Sequence, residues 1–265
     1  MLRTAFYCLA LSLSLVAGSV AQACERGDFV IAIDPGHTRA RPGAISARGV
    51  PEVQLNENLA RYLLDELVHA GFAKAFLTNR NQASISLIDR ALLANERKAQ
   101  LFLSIHHDSA QTHYLSTWTY LGKRRLYTDD IKGYSLFVSE KNGDATGSVR
   151  LAHLLGNQLR NGCFIPTLHH AEKIPGENRE LLDEQLGIYR FDDLVVLKST
   201  RMPAVLFEAG LIVNRHEELL LRSSSYQKRI AVALASAVVE FCEGGLPLSS
   251  DQTHWQTHFN ERCKN

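Results

Sequence analysis

The chain predicts a single α/β domain: a mostly parallel twisted sheet flanked by helices, with an edge hairpin. Three observations carry that expectation. Short apolar, β-branched runs alternate with helical repeats over residues 29–105, in the order strand, helix, strand, helix, strand. A length of 265 residues suits one such domain with helices on both faces. The 45% hydrophobic and 22% charged composition is that of an ordinary globular protein, without repeats or low-complexity linkers.

The first 23 residues precede the fold. Met1-Leu2-Arg3 is a short basic start, residues 5–20 are almost wholly apolar or small, and Ala21-Gln22-Ala23 is an A-x-A cleavage site. This is the pattern of a secretory signal peptide, and its apolar run is short for a membrane span. A periplasmic or secreted protein with no stable membrane insertion after signal removal is expected, with its domain over residues 27–245 and a polar tail over 246–265.

Phe29 to Asp34 reads as a buried strand that Pro35-Gly36 ends, and residues 37–50 as a loop. Pro51 suits the first position of a helix whose stripe is Leu55, Leu59, Tyr62, Leu63 and Leu67. Residues 73–78 form a second strand. A helix follows from Ser86 with Leu87, Arg90, Leu93, Ala94 and Arg97, and Leu101 to Ile105 is the third strand. Further on, residues 114–121 alternate like an edge strand, with residues 134–139 as the expected partner. Ser148 can cap a helix bearing Leu151, Leu154, Leu155 and Leu159, which Asn161-Gly162 ends. Residues 165–187 read as a polar loop with a helical turn or two. Strand-like order returns at 194–197 and 204–207, and an amphipathic helix over 225–242 closes the domain.

Without Arg3 the basic and acidic residues balance, and the short run Lys123-Arg124-Arg125 suits a solvated hairpin tip; no nucleic-acid partner is expected. Beyond Cys8 in the leader remain Cys24, Cys163, Cys242 and Cys263. Two disulfides are expected of an exported chain, with three pairings open, against the alternative that Cys163 stays a free thiol.

In open α/β sheets, ligands bind outside the carboxyl ends of the strands. His37 stands just past the first strand, His106 just past the third, Glu52 at a helix start between them, and Glu208 at the end of Ala204-Val205-Leu206-Phe207. Two histidines and a carboxylate converging there make a zinc site, with a further glutamate as base. Each residue also has an ordinary reading. His37 can be a loop residue, Glu52 a charge favoured by the helix dipole, and Glu208 a salt-bridge partner of Arg201 or Arg215. Asp34 is placed to orient His37 or to cap a turn. Adjacent strand residues face opposite ways, so only one of His106 and His107 is expected at the ion. Glu57, further along the helix, is the rival of Glu52.

The stretches Ile33-Asp34-Pro35-Gly36-His37, Gly43 near Glu52, Leu77-Thr78-Asn79-Arg80, Leu87 to Asn95, Leu103-Ser104-Ile105-His106 and Met202 to Gly210 with Asn214 resemble the zinc-dependent N-acetylmuramoyl-L-alanine amidases of bacterial cell walls. The resemblance runs through nearly the whole mature domain. It implies that His37, Glu52 and His106 bind zinc, that Glu208 is catalytic, and that the substrate is the peptidoglycan amide joining N-acetylmuramic acid to L-alanine. Thr38-Arg39 and His107-Asp108 depart from the family pattern at the mouth of the site, where His107 and Asp108 are expected to support the ligands or touch substrate. Residues 109–198 are extended; some relatives carry an autoinhibitory helix there, for which Glu172, Glu177 and Glu180 are the candidates beside a plain surface loop. A zinc peptidase or deacetylase of related polymers, and a non-catalytic wall-binding domain, are the alternatives. No protein activator is named by the sequence.

Overall fold

In a computed structural model, residues 24–80, 84–245 and 263 are described. The expected leader, and the polar tail apart from Cys263, lie outside the described residues. Strand β1 (Ile31–Pro35), helix α1 (Glu52–His69), β2 (Phe76–Leu77), α2 (Leu87–Glu96) and β3 (Leu101–Asp108) follow the expected order. Then come β4 (Ser116–Tyr120), β5 (Lys123–Tyr127), β6 (Ser135–Val138), α3 (Ala145–Asn161), β7 (Glu180–Asp183), β8 (Ile188–Arg190), α4 (Val195–Lys198), β9 (Ala204–Leu211), α5 (Glu217–Leu221) and α6 (Ser224–Cys242).

Seven strands form one mixed sheet in the order β2-β1-β3-β9-β6-β8-β7. The β2-β1-β3-β9 half is parallel; β6 runs antiparallel to β9, β8 parallel to β6, and β7 antiparallel to β8. Side chains alternate across each strand, so each has two destinations. Ile31, Ile33, Leu103, Ile105, Val205 and Phe207 pack with α1, α3 and α6 on one face. Ala32, Phe102, Ala204 and Leu206 pack with α2 and α4 on the other. The stripe Leu55, Leu59, Leu63 and Leu67 binds α1 to the first face, each residue almost fully buried.

Five expectations are corrected. Residues 134–139 do not pair with the 114–121 segment: β4 pairs with β5 in a separate hairpin, because Leu121-Gly122 turns the chain back at once, both at positive φ. Residues 135–138 are buried throughout and enter the main sheet between β9 and β8. The apolar run at 194–197 is a short helix, α4, whose Val196 and Leu197 cover the second face. The loop over 165–187 holds β7 at its end, a half-exposed edge strand whose apolar signal is correspondingly thin. Helix α3 is capped by Asp144, which accepts the Gly147 N–H at 2.8 Å. Ser148 lies inside it, accepting the Ala204 N–H at 2.9 Å. Lys123-Arg124-Arg125 forms strand β5 rather than the hairpin tip.

Two disulfides join Cys24 to Cys242 and Cys163 to Cys263. The first ties the start of the described domain to the end of α6, where the Cys24 N–H also donates to the Cys242 carbonyl at 3.3 Å.

Candidate metal centre

The site is built at the carboxyl ends of β1, β3 and β9. Register pairs Asp34 with Ser104 and His106 with Glu208. Neighbours in register on parallel strands point to the same side of the sheet, so His106 and Glu208 share the face of Asp34 and Ser104. His107, one residue on, faces α1 instead. Its Nδ1 lies 2.7 Å from Asn56 Oδ1.

Glu52 reaches this face from the first turn of α1. Its Oε2 lies 2.9 Å from His37 Nε2, and its Oε1 lies 3.1 Å from His106 Nδ1. The donor atoms of His37, Glu52 and His106 all fall within 4.8 Å of one another. Ligands around a tetrahedral ion with bonds near 2.0–2.1 Å stand roughly 3.3 Å apart, so the three groups are already spaced to hold a small cation. The Glu52 carboxylate also accepts the Ala44 N–H at 3.0 Å and the Asn56 side-chain amide at 3.0 Å, which fix its orientation. Burial pushes its pKa up, but the hydrogen bonds and charges of His106 and His37 outweigh that and hold it well below the usual carboxylate range.

Two glycines leave the room. A Cβ on Gly36 would stand 2.2 Å from His106 Nε2, and one on Gly43 would stand 2.3 Å from Glu52 Oε2. Gly43 also has φ +75°. His37 itself adopts φ +70°, a costly conformation for a residue with a side chain. What holds it is a buried arginine. Arg90 of α2 donates to the carbonyls of Pro35 and His37 and pairs with Asp34 at 3.0 Å, while Asn79 donates to the His37 carbonyl at 3.2 Å. Asp34 therefore reaches His37 through Arg90 and not directly, since its own oxygens are engaged by Thr78, Arg90 and Ser104.

Neither arginine offered by the sequence completes Glu208: Arg215 pairs with Asp129, and Arg201 is exposed. Its Oε2 is shielded from solvent without a hydrogen-bond partner among the described residues. Burial first, then the charges of Asp108 and Glu52, push its pKa well above the ordinary value. Glu208 lines a cavity with His106, Asp108, His170 and Glu177. Glu57 points elsewhere, pairing with Arg61. His107 is buried, and burial pushes its pKa down to about 3.

The three glutamates considered for an inhibitory helix all have other partners. Glu172 accepts from the Tyr114 hydroxyl, Glu177 binds His170, and Glu180 pairs with Arg190. Between α3 and α4 the described chain forms a 3-10 turn at His169–Ala171 and the β7–β8 hairpin.

Sequence reasoning missed Arg90, Asn56 and the adjacent His169 and His170, whose Nε2 atoms lie 3.6 and 2.8 Å from Asp108 Oδ2. Arg90 carried one signal: an arginine within the buried stripe of a helix must find a counter-charge. Asn56 carried none beyond its i+4 spacing from Glu52.

The fold and site together define an α/β protein with a candidate metal centre, two imidazoles and a carboxylate, beside a shielded glutamate at the carboxyl edge of the sheet. Comparison with known proteins narrows this. The profile of the N-acetylmuramoyl-L-alanine amidase family matches residues 31–240, and the chain belongs to that family. It is 30% identical over 234 residues to AmiB of Haemophilus influenzae, named a probable N-acetylmuramoyl-L-alanine amidase, covering 82% of this chain and 52% of that one. It is 29% identical over 226 residues to the N-acetylmuramoyl-L-alanine amidase AmiC of Neisseria meningitidis, covering 80% and 52%. The chain thus spans about half the length of these two relatives. The fold is similar to that of the amidase Ami1 from Mycobacterium smegmatis, with TM-score 0.65 at 18% identity over 82% of this chain and 98% of that one. The catalytic domain of CwlV from Bacillus (Paenibacillus) polymyxa gives TM-score 0.61 at 23% identity, over 80% and 97%.

Proposed function

We propose that this chain is a zinc-dependent hydrolase that cleaves the peptidoglycan amide between N-acetylmuramic acid and L-alanine, and that it works in the periplasm or outside the cell. The observation that carries the reading is the convergence of His37, Glu52 and His106 on one point, with the orphaned carboxylate of Glu208 in register beside His106. Family membership supports the substrate. Among the described residues no helix is long and apolar enough to cross a membrane.

His37, Glu52 and His106 would hold the ion. Bound there, zinc supplies Lewis-acid activation of water and of the scissile carbonyl. Glu208 takes the proton from the attacking water and returns it to the leaving amine of L-alanine. A carboxylate whose proton affinity is raised by burial is suited to both transfers. Asn56 and the Ala44 N–H orient Glu52, and Arg90 fixes the backbone that carries His37.

The test is Glu208→Gln on purified peptidoglycan, with products read by mass spectrometry. The wild-type chain is expected to release stem peptides with a free L-alanine amine from intact glycan strands. The variant should lose about 100-fold or more of that rate while keeping its zinc. A variant that keeps most of the activity removes Glu208 from its role, and cut glycan strands without released peptide remove the amidase reading.

A further inference from the structure

A second cluster of metal-ligating side chains lies on the same strand end, outside the centre above. We propose that Asp108, His169 and His170 form a second divalent-cation site, of the chemistry zinc takes. Their donor atoms fall within 4.8 Å of one another, and all three residues are largely withdrawn from solvent. Asp108 Oδ2 lies 2.8 Å from His170 Nε2 and 3.6 Å from His169 Nε2. The other oxygen of Asp108 accepts the Ser109 N–H at 2.7 Å, so Oδ2 is the one turned toward the two rings.

Each imidazole is also held by its far nitrogen. His170 Nδ1 lies 2.8 Å from Glu177 Oε2, and His169 Nδ1 lies 2.9 Å from Thr167 Oγ1. Ligating histidines are characteristically oriented this way, through a carboxylate or hydroxyl on the nitrogen away from the ion. Both Nε2 atoms then face the same point as Asp108.

The independent observation is His169. Its side chain is only 2% exposed, and its Nε2 has no hydrogen-bond partner among the described residues. A buried polar atom without a partner costs free energy unless something completes it. A salt bridge between His170 and its two carboxylates explains His170 but leaves His169 Nε2 orphaned. A cation between the three groups satisfies it, taking the place of the proton that His170 Nε2 shares with Asp108.

Two imidazoles and one carboxylate repeat the donor set of the first centre and suit zinc better than calcium or magnesium, which prefer oxygen ligands. Asp108 and His170 line the cavity that Glu208 also faces, so the second ion would border the same substrate space. His106 and Asp108 stand two residues apart on β3, with a register shift against β9 between them. The two groups share no residue, so the second ion has its own ligands.

The disulfide-bonded chain, stripped with chelator, reloaded with zinc and passed through a desalting column, tests this by elemental analysis. The wild type is expected to retain two zinc ions per chain, His169→Gln one, and His37→Ala one. A wild type that retains one ion, lost in His37→Ala and kept in His169→Gln, overturns the second site while the first stands. A single ion lost in His169→Gln but kept in His37→Ala supports the second site and overturns the first. Should His169→Gln fail to fold by circular dichroism, Glu177→Gln is read instead. The weaker of the two zinc affinities is expected to fall 10–100-fold, and an unchanged affinity overturns the proposal.

Discussion

The Asp34–Arg90 pair connects the fold to the candidate metal centre, and replacing Asp34 by alanine tests how strongly. Both side chains are 1% exposed. Asp34 accepts from Arg90, Thr78 and Ser104, and Arg90 goes on to hold the carbonyls of Pro35 and His37. Removing the carboxylate leaves a guanidinium charge buried with two carbonyls and no counter-ion. Breaking one side of a buried pair costs about 3–5 kcal/mol. For a domain of this size each kcal/mol shifts the melting temperature by about 2–4 °C, so Asp34→Ala should melt roughly 6–20 °C lower by circular dichroism. Asp34→Ala/Arg90→Met removes both charges and fills the space, and should recover at least about 1 kcal/mol over the single variant. A single variant within about 1 kcal/mol of wild type, or a double variant whose losses simply add, refutes the view that this pair carries the strand end.

Two further outcomes follow from the same geometry. Gly43→Ala places a methyl against Glu52 Oε2 and His37 at a residue with φ +75°, so zinc affinity measured by chelator competition should fall tenfold or more; unchanged affinity means the loop yields freely. Glu217 accepts backbone N–H bonds from Gly133 and Leu211, yet burial outweighs them and pushes its pKa up to about 7. A group raised on folding stabilises most below its unfolded pKa, near 4.5, and that contribution is lost as pH rises through about 7. Urea midpoints should therefore fall by the equivalent of roughly 3 kcal/mol across that window, and Glu217→Gln should flatten the slope. An identical slope in the variant excludes Glu217 as its source.

Much of the sheet was legible because buried strands and amphipathic helices write their burial into local periodicity. Ile31 to Asp34, the α1 stripe and Leu101 to Ile105 each announce an element within a dozen residues. The errors fall where local pattern is ambiguous. Leu194 to Leu197 is an apolar run with two valines, yet Val195–Lys198 packs as a helical turn. Residues 135–138 read as a hairpin partner because nothing local says that they lie between β9 and β8.

The sequence by itself determined the α/β class, the glycine-flanked strand ends and the four side chains on which the proposed chemistry rests, since strand ends and helix starts are local features. Only the tertiary structure decided how they meet. Parallel register sets Glu208 beside His106, and the pleat turns His107 away toward Asn56. The buried Arg90 binds Asp34 to the His37 backbone, and a loop 62 residues distant brings His170 to Asp108. Those contacts join residues far apart in the chain, and their energy depends on burial and mutual distance, which no local periodicity encodes.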